Sequence, residues 1–245
     1  MSDKPARPAV WQRPERGARG PAPERSRPQI TAEAVELADA EGLAAVSMRA
    51  VAQRLGTGPA SLYRYVASRD DLLDLMADTV AGEIDLSVAP TGDWIEDLSG
   101  LAVQSKAAYL RHPWMLDLAA QRGPVLGPRA IDYLDHALAV LAPAPGDGRA
   151  KLEAIGLVGG LASLFARQEL LAASPGSGAA PAPPAQGAYL ASVAAEGRHP
   201  HLLAALTAAG PPPVDSLADG PVDGPAERDA LFRRMLRRVL PGLLA

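Results

Sequence analysis

Between Leu43 and Arg69 the chain carries four arginines, Arg49, Arg54, Arg64 and Arg69, and no acidic residue. Hydroxyls stand among them at Ser47, Ser61, Tyr63 and Tyr65. Cations and hydroxyls together are the chemistry that holds phosphates. A duplex carries its charge on its backbone, so a short helix rimmed in this way can be drawn into the major groove and held there in register. The small residues Gly58, Pro59, Ala60 and Ser61 would let the backbone of that helix approach the bases.

Two short helices are needed to position these groups, and the local pattern predicts both. Met48, Val51, Ala52 and Leu55 are spaced i, i+3, i+4, i+7 and share one helix face. Ser47 precedes them as a cap, Gly56 follows as a residue able to turn the chain with positive φ, and Pro59 stands at the first position of a second helix. The stretch 46–69 therefore reads as a helix-turn-helix. The same spacing also fits a helical hairpin of any all-α protein, with Tyr63 and Tyr65 half-buried.

The flanking sequence supplies supports. Ile30, Ala34, Leu37 and Ala38 form the stripe of a first helix, expected to be capped by Thr31 and ended by Gly42. Ser68 opens a fourth, with Asp70 beside its positive end and Asp71 in capping-box position. Its stripe of Leu73, Met76, Val80 and Ile84 predicts a helix reaching towards Pro90 and linking the two halves of the chain. Residues 1–29, with six prolines among seven Lys and Arg, read as a disordered basic tail whose arginines could track phosphates or simply remain solvated.

Composition narrows the alternatives. The chain has 245 residues, 48% of them hydrophobic, and no cysteine, which excludes disulfides, thiolate metal sites and cysteine catalysis. No uninterrupted apolar run approaches ~20 residues and the N-terminus lacks a signal-peptide core, so a soluble, cytoplasmic protein is expected. Residues 1–66 hold ten Lys and Arg against seven Asp and Glu, net +3, and the remainder holds 14 against 21, net −7. A basic head on an acidic body suits a protein that sets one end on DNA. His112, His136, His199 and His201 show no zinc-protease spacing, and neither a nucleophile elbow nor a P-loop occurs. Neither enzymatic activity nor a metal or cofactor is expected.

The second half predicts helices over 93–111, from 114, over 129–141, 149–172, 188–196 and 200–209, and from 226 onwards, with loops at 173–187 and 210–225. Ile131, Leu134, Leu138 and Leu141 form the expected apolar stripe of the 129–141 helix, and Asp93 with Glu96 a second capping box.

From about Ile30 to Asp85 the chain resembles the DNA-binding domain of the TetR family of bacterial transcriptional repressors. The resemblance rests on AEGLAAVSMRAVA at 40–52, QRLG at 53–56, SLYRYV at 61–66 and SRDDLLDLM at 68–76. More weakly, DWIEDL at 93–98 and LRHPWM at 110–115 resemble the ligand-binding and dimerisation domain of the tetracycline-repressor branch. The resemblance implies an all-α protein with a helix-turn-helix domain at 30–88 and a helical ligand-binding and dimerisation domain at 89–245. It also implies a homodimer on a palindromic operator in double-stranded DNA, released by a small-molecule effector. Ser47, Arg49, Pro59, Ala60, Ser61, Tyr63, Tyr65 and Arg69 are then the DNA-proximal residues. Arg49, Ala60 and Ser61 suit base edges, while Ser47, Tyr63 and Arg69 suit phosphates.

Tyr109, His112, Trp114, Met115, Tyr133, His136, Phe165 and Gln168 are the candidate effector contacts. Where the tetracycline repressors carry magnesium-supporting histidines this chain has Asp85 and Leu118 nearby, so tetracycline is not the expected effector. The dimer interface is expected on the small-faced helix at Gly156, Gly159, Gly160 and Ser163. The terminal helix should complete it at Phe232, Met235, Leu236 and Val239. Competing readings are a regulator without an effector or an activator, and an all-α small-molecule binder or enzyme with an incidental basic hairpin.

Overall fold

The computed structural model describes residues 9–13, 25–173, 188–189, 192–193, 196–208 and 224–244. Among the described residues there is no strand. The elements are α1 (Arg27–Glu41), α2 (Met48–Arg54), α3 (Pro59–Leu62), α4 (Arg69–Ala81), α5 (Trp94–Arg111), α6 (Trp114–Gln121), α7 (Pro128–Val140), α8 (Gly148–Ala173), α9 (Pro200–Ala208) and α10 (Pro225–Leu243). They fall into two compact units, Met1–Leu170 with Arg233–Ala245, and Leu171–Phe232. The expected loops at 173–187 and 210–225 lie almost wholly outside the described residues, and of the expected 188–196 helix only 188–189 and 192–193 are described as helical.

α1 is capped five residues earlier than expected. Ser26 caps it: its Oγ accepts from Gln29 N at 3.3 Å, and Gln29 Oε1 accepts from Ser26 N at 3.0 Å. Thr31, expected to be the cap, is buried inside the helix and donates from Oγ1 to Arg27 O at 2.9 Å. The predicted stripe of Ile30, Ala34, Leu37 and Ala38 is buried as one face.

Residues 9–13 and 25–29, expected to belong to a disordered tail, have defined places; the rest of that segment lies outside the described residues. Val10 is buried, and Arg13 donates from both terminal nitrogens to the Asp71 carboxylate at 2.8 and 2.7 Å. Arg27 donates to Tyr65 O at 2.9 Å and to Arg13 O at 2.9 Å, and Arg25 to Leu55 O at 2.7 Å. These distant acceptors offset the ordering entropy that composition alone leaves uncompensated.

Ser68 caps α4 by accepting from Asp71 N at 3.1 Å, but the Asp71 carboxylate faces Arg13 and does not complete a capping box. α4 stops at Ala81, short of the expected Pro90. Its Asp78 is buried and accepts from the backbone N–H groups of Arg129 and Ala130, at 3.0 and 3.1 Å. One helix thus caps the start of another. The close approach requires Gly127, because a Cβ there would lie 2.2 Å from Asp78 Oδ1 and 2.5 Å from Trp11 Cζ2.

Asp93 caps α5 through Ile95 N and Glu96 N at 3.2 and 3.1 Å. Glu96 does not close a capping box; it accepts from Arg233 and Arg237 of α10 at 2.8 and 2.5 Å. Lys106 of α5 and Glu169 of α8 form a buried ion pair. The expected stripe of α7 is buried only in part: Leu141 is buried and Leu134 and Leu138 are half-buried, but Ile131 is exposed and Ala137 and Val140 are buried instead. A face with Ala at its centre lets the helix lie closer to its neighbours than a face of large residues would. Of the second unit, α9 and the first turns of α10 are described, and Phe232 is fully buried.

Candidate nucleic-acid interface and effector cavity

The helix-turn-helix forms where local signals place it. Ser47 Oγ accepts from Ala50 N at 3.1 Å, Gly56 takes φ +65°, and Pro59 begins α3. α3 is shorter than expected, ending at Leu62. It then tightens into a turn in which Arg64 N donates to Ser61 O at 3.3 Å and Tyr65 N to Leu62 O at 2.9 Å. Leu62 and Val66 point into the core and carry the opposite side outward. Pro59, Ala60, Tyr63 and Arg64 are exposed on it, Ser61 is half-buried beside them, and Arg49 is exposed on α2.

Three expected DNA residues have other work in the fold. Tyr65 is only 7% exposed and packs in the hydrophobic core of the head. Arg69 donates to Val46 O at 2.6 Å and to Leu43 O at 3.0 Å, which pins the approach to α2. Ser47 is half-buried as the α2 cap. Arg54 is likewise paired, with Glu33 and Glu36 of α1. Of the four arginines, Arg49 and Arg64 are the ones without a hydrogen bond or ion pair among the described residues. Arg64 was not among the residues singled out for DNA, and its place two residues past α3 is the signal that would have found it.

His112 and Trp114 belong to a seam between the head and the helices behind it, not to a cavity. His112 Nδ1 lies 2.7 Å from Asp39 Oδ1 and its Nε2 2.9 Å from Glu83 Oε1. Trp114 is 2% exposed and donates from Nε1 to the same Asp39 oxygen at 2.7 Å. The two rings meet edge to face at 6.1 Å. Asp39 is on α1, so its partners lie more than 70 residues away.

Behind the seam is a cavity of about 440 Å³. Its walls come from α4 (Ala77, Val80, Ala81), Ile84, α5 (Ser105, Ala108, Tyr109), α6 (Met115, Leu118, Ala119) and residues 123–126. α7 (Ala130, Tyr133, Leu134) and α8 (Leu152, Ile155, Gly156, Gly159) complete them. Tyr109, Met115 and Tyr133 line it as expected from sequence. His112, Trp114, His136, Phe165 and Gln168 do not. Burial raises the pKa of both Tyr109 and Tyr133 above the ordinary tyrosine value, and the hydroxyl of Ser105 partly offsets this at Tyr133.

Gly156 and Gly159, expected in a dimer interface, are cavity wall. Gly160 is exposed and Ser163 half-buried on the same helix, beside exposed Leu157 and Leu164. On α10, Met235 and Val239 are exposed, whereas Phe232 and Leu236 are fully buried within the chain and offer no surface to a partner.

Residues 30–76 match the N-terminal domain model of bacterial regulatory proteins of the tetR family, and residues 86–245 match the tetracyclin repressor-like C-terminal domain. The chain belongs to the TetR family. Among its TetR-family relatives, the HTH-type transcriptional repressor DrrR1 of Streptomyces coeruleorubidus is 43% identical over 136 residues, 55% of this chain and 50% of that one. An HTH-type transcriptional regulator of Saccharopolyspora erythraea is 40% identical over 148 residues, 60% of this chain and 61% of that one. The matched region thus spans about half to three-fifths of these relatives. Among solved structures, the TetR-family protein ActR of Streptomyces coelicolor in complex with actinorhodin aligns with a TM-score of 0.65 at 25% identity, covering 91% of this chain and 96% of that one. Apo ActR gives 0.66 at 26% identity, covering 90% and 97%.

Proposed function

We propose that this TetR-family chain is a sequence-specific DNA-binding transcriptional regulator, a repressor that binds a palindromic operator as a homodimer and lets go when a small molecule fills the cavity. The observation that carries this reading is α4, which supports the helix-turn-helix with Leu72, Leu73 and Met76 and walls the cavity with Ala77, Val80 and Ala81. A relative named as a repressor and a neighbour solved with a small molecule support the same reading. Residues 30–88 form the DNA-binding head and 89–245 the regulatory body. Arg49, Pro59, Ala60, Ser61, Tyr63 and Arg64 face the duplex. Exposed Met235 and Val239, with Gly160 and Ser163, belong to the dimer surface.

The chain works in the cytoplasm, where the DNA is, and not in a membrane. α8 is long and apolar enough to cross one, but it walls the cavity and carries Glu169 of a buried ion pair.

Selection from random duplexes at two salt concentrations tests the function. An inverted repeat with fixed half-site spacing is the expected result; weak, sequence-blind binding lost at modest salt would end the repressor reading. On the selected site, Arg64→Ala should weaken binding similarly for all sequences and lower the salt slope by about 1. Arg49→Ala should cost about 1–3 kcal/mol and relax preference at one base position. Charging the dimer surface by Met235→Glu with Val239→Glu should give monomers in analytical ultracentrifugation with helix content retained. Unchanged dimers would move the interface elsewhere.

A further inference from the structure

The cavity walls define the chemistry of what fills them. Of the 21 residues that form them, none is Asp, Glu, Lys, Arg or His. The nearby charges are held elsewhere: Lys106 with Glu169, Asp78 by the first N–H groups of α7, and Arg129 against Gly82 with its guanidinium donating to Thr79 Oγ1. An ionised ligand would leave water for a wall with no counter-charge, which is strongly unfavourable. What the wall offers is a polar edge on one side of α5 and α7. Ser105 Oγ gives its proton to Leu101 O at 2.9 Å, which leaves it to accept from the Tyr133 hydroxyl beside it. The Tyr109 hydroxyl has no hydrogen-bond partner among the described residues. With both phenols shifted upward by burial, each stays protonated at neutral pH, Tyr133 donating to Ser105 and Tyr109 left to donate to a ligand.

We propose that the effector is a neutral, mainly apolar molecule that presents a carbonyl-type acceptor to the hydroxyl of Tyr109. This rests on the cavity being the effector site. Its volume suits a ligand of several fused or linked rings, and Ala77, Ala81, Ala108, Ala119, Gly156 and Gly159 keep its walls low. Specificity against acids then comes from the missing counter-charge and not from a clash.

Two dyes with the same ring system separate charge from shape: 7-diethylamino-4-methylcoumarin, which is neutral with a lactone carbonyl, and 7-diethylaminocoumarin-3-carboxylate. Titrated into the full-length dimer and followed by fluorescence, the neutral dye should bind once per chain, at least about tenfold more tightly than the anion. Tyr109→Phe should weaken it by about fivefold. Ala119→Trp should abolish binding by filling the cavity, and Gly156→Trp serves as an independent filling variant should the first not fold. Equal or reversed preference for the anion overturns the proposal. So does neutral-dye binding that survives both filled cavities, or absence of binding by either dye up to millimolar concentration. Operator release is read separately on the same samples: binding of the neutral dye without any release leaves the ligand class standing and counts against the release mechanism.

Discussion

Lys106→Ala should lower the free energy of unfolding by about 3–5 kcal/mol, because it leaves the buried carboxylate of Glu169 without the ammonium that faces it. The pair ties α5 to α8, two walls of the cavity, so the loss should show as an earlier urea midpoint and as weaker dye binding. Replacing both partners, Lys106→Met with Glu169→Leu, removes the charges together and keeps the volume. That double variant should recover most of the loss or exceed the parent in stability. A single variant costing less than about 1 kcal/mol would mean that the pair is solvated in solution.

Trp114→Ala should cost a similar amount, about 3–5 kcal/mol, from the cavity left by a fully buried indole. The consequence for function differs. Trp114 and His112 hold Asp39 of α1 against the start of α6, so the variant loosens the seam on which the head rests. Trp114→Phe retains most of the packing but not the N–H, and should cost about 1–3 kcal/mol by leaving Asp39 with one partner fewer. Thermal unfolding of the two variants separates packing from hydrogen bonding. Operator affinity measured well below both midpoints should fall in the same order. Full affinity in folded Trp114→Ala protein would show that the seam only stabilises.

The helix-turn-helix was legible in the sequence because each of its signals is local. A cap at Ser47, a positive φ at Gly56, a proline at Pro59 and an i, i+3, i+4 stripe all act within one or two turns. The side chains that changed role did so through distant partners. Arg69 finds carbonyls 23 and 26 residues away, and His112 finds Asp39 73 residues away. Nothing in the neighbouring sequence marks those acceptors. Tyr65 differs: it lies three residues after Leu62 and shares its buried face in an α-helix and in the tighter turn alike, so spacing marks it as core and only the resemblance set it at the DNA. Gly156 and Gly159 show a third limit. A face of small residues leaves the same trace whether it admits a partner helix or leaves room for a ligand, and only the surrounding helices decide between them.

The position of α4 has a consequence for how the two binding events must appear when measured. Its N-terminal half lies in the same continuous core as α1, α2 and Trp114, and its C-terminal half walls the cavity. Under the proposed function, a helix shared by the two sites couples operator and effector through its placement. Whatever factor by which a bound effector reduces operator affinity, a bound operator must reduce effector affinity by the same factor, typically about 5–150-fold. Under the proposed function the operator is thus itself an inhibitor of effector binding. Protein off the DNA would then fill first, and the concentration of effector needed for release would rise with the strength of the site it must empty.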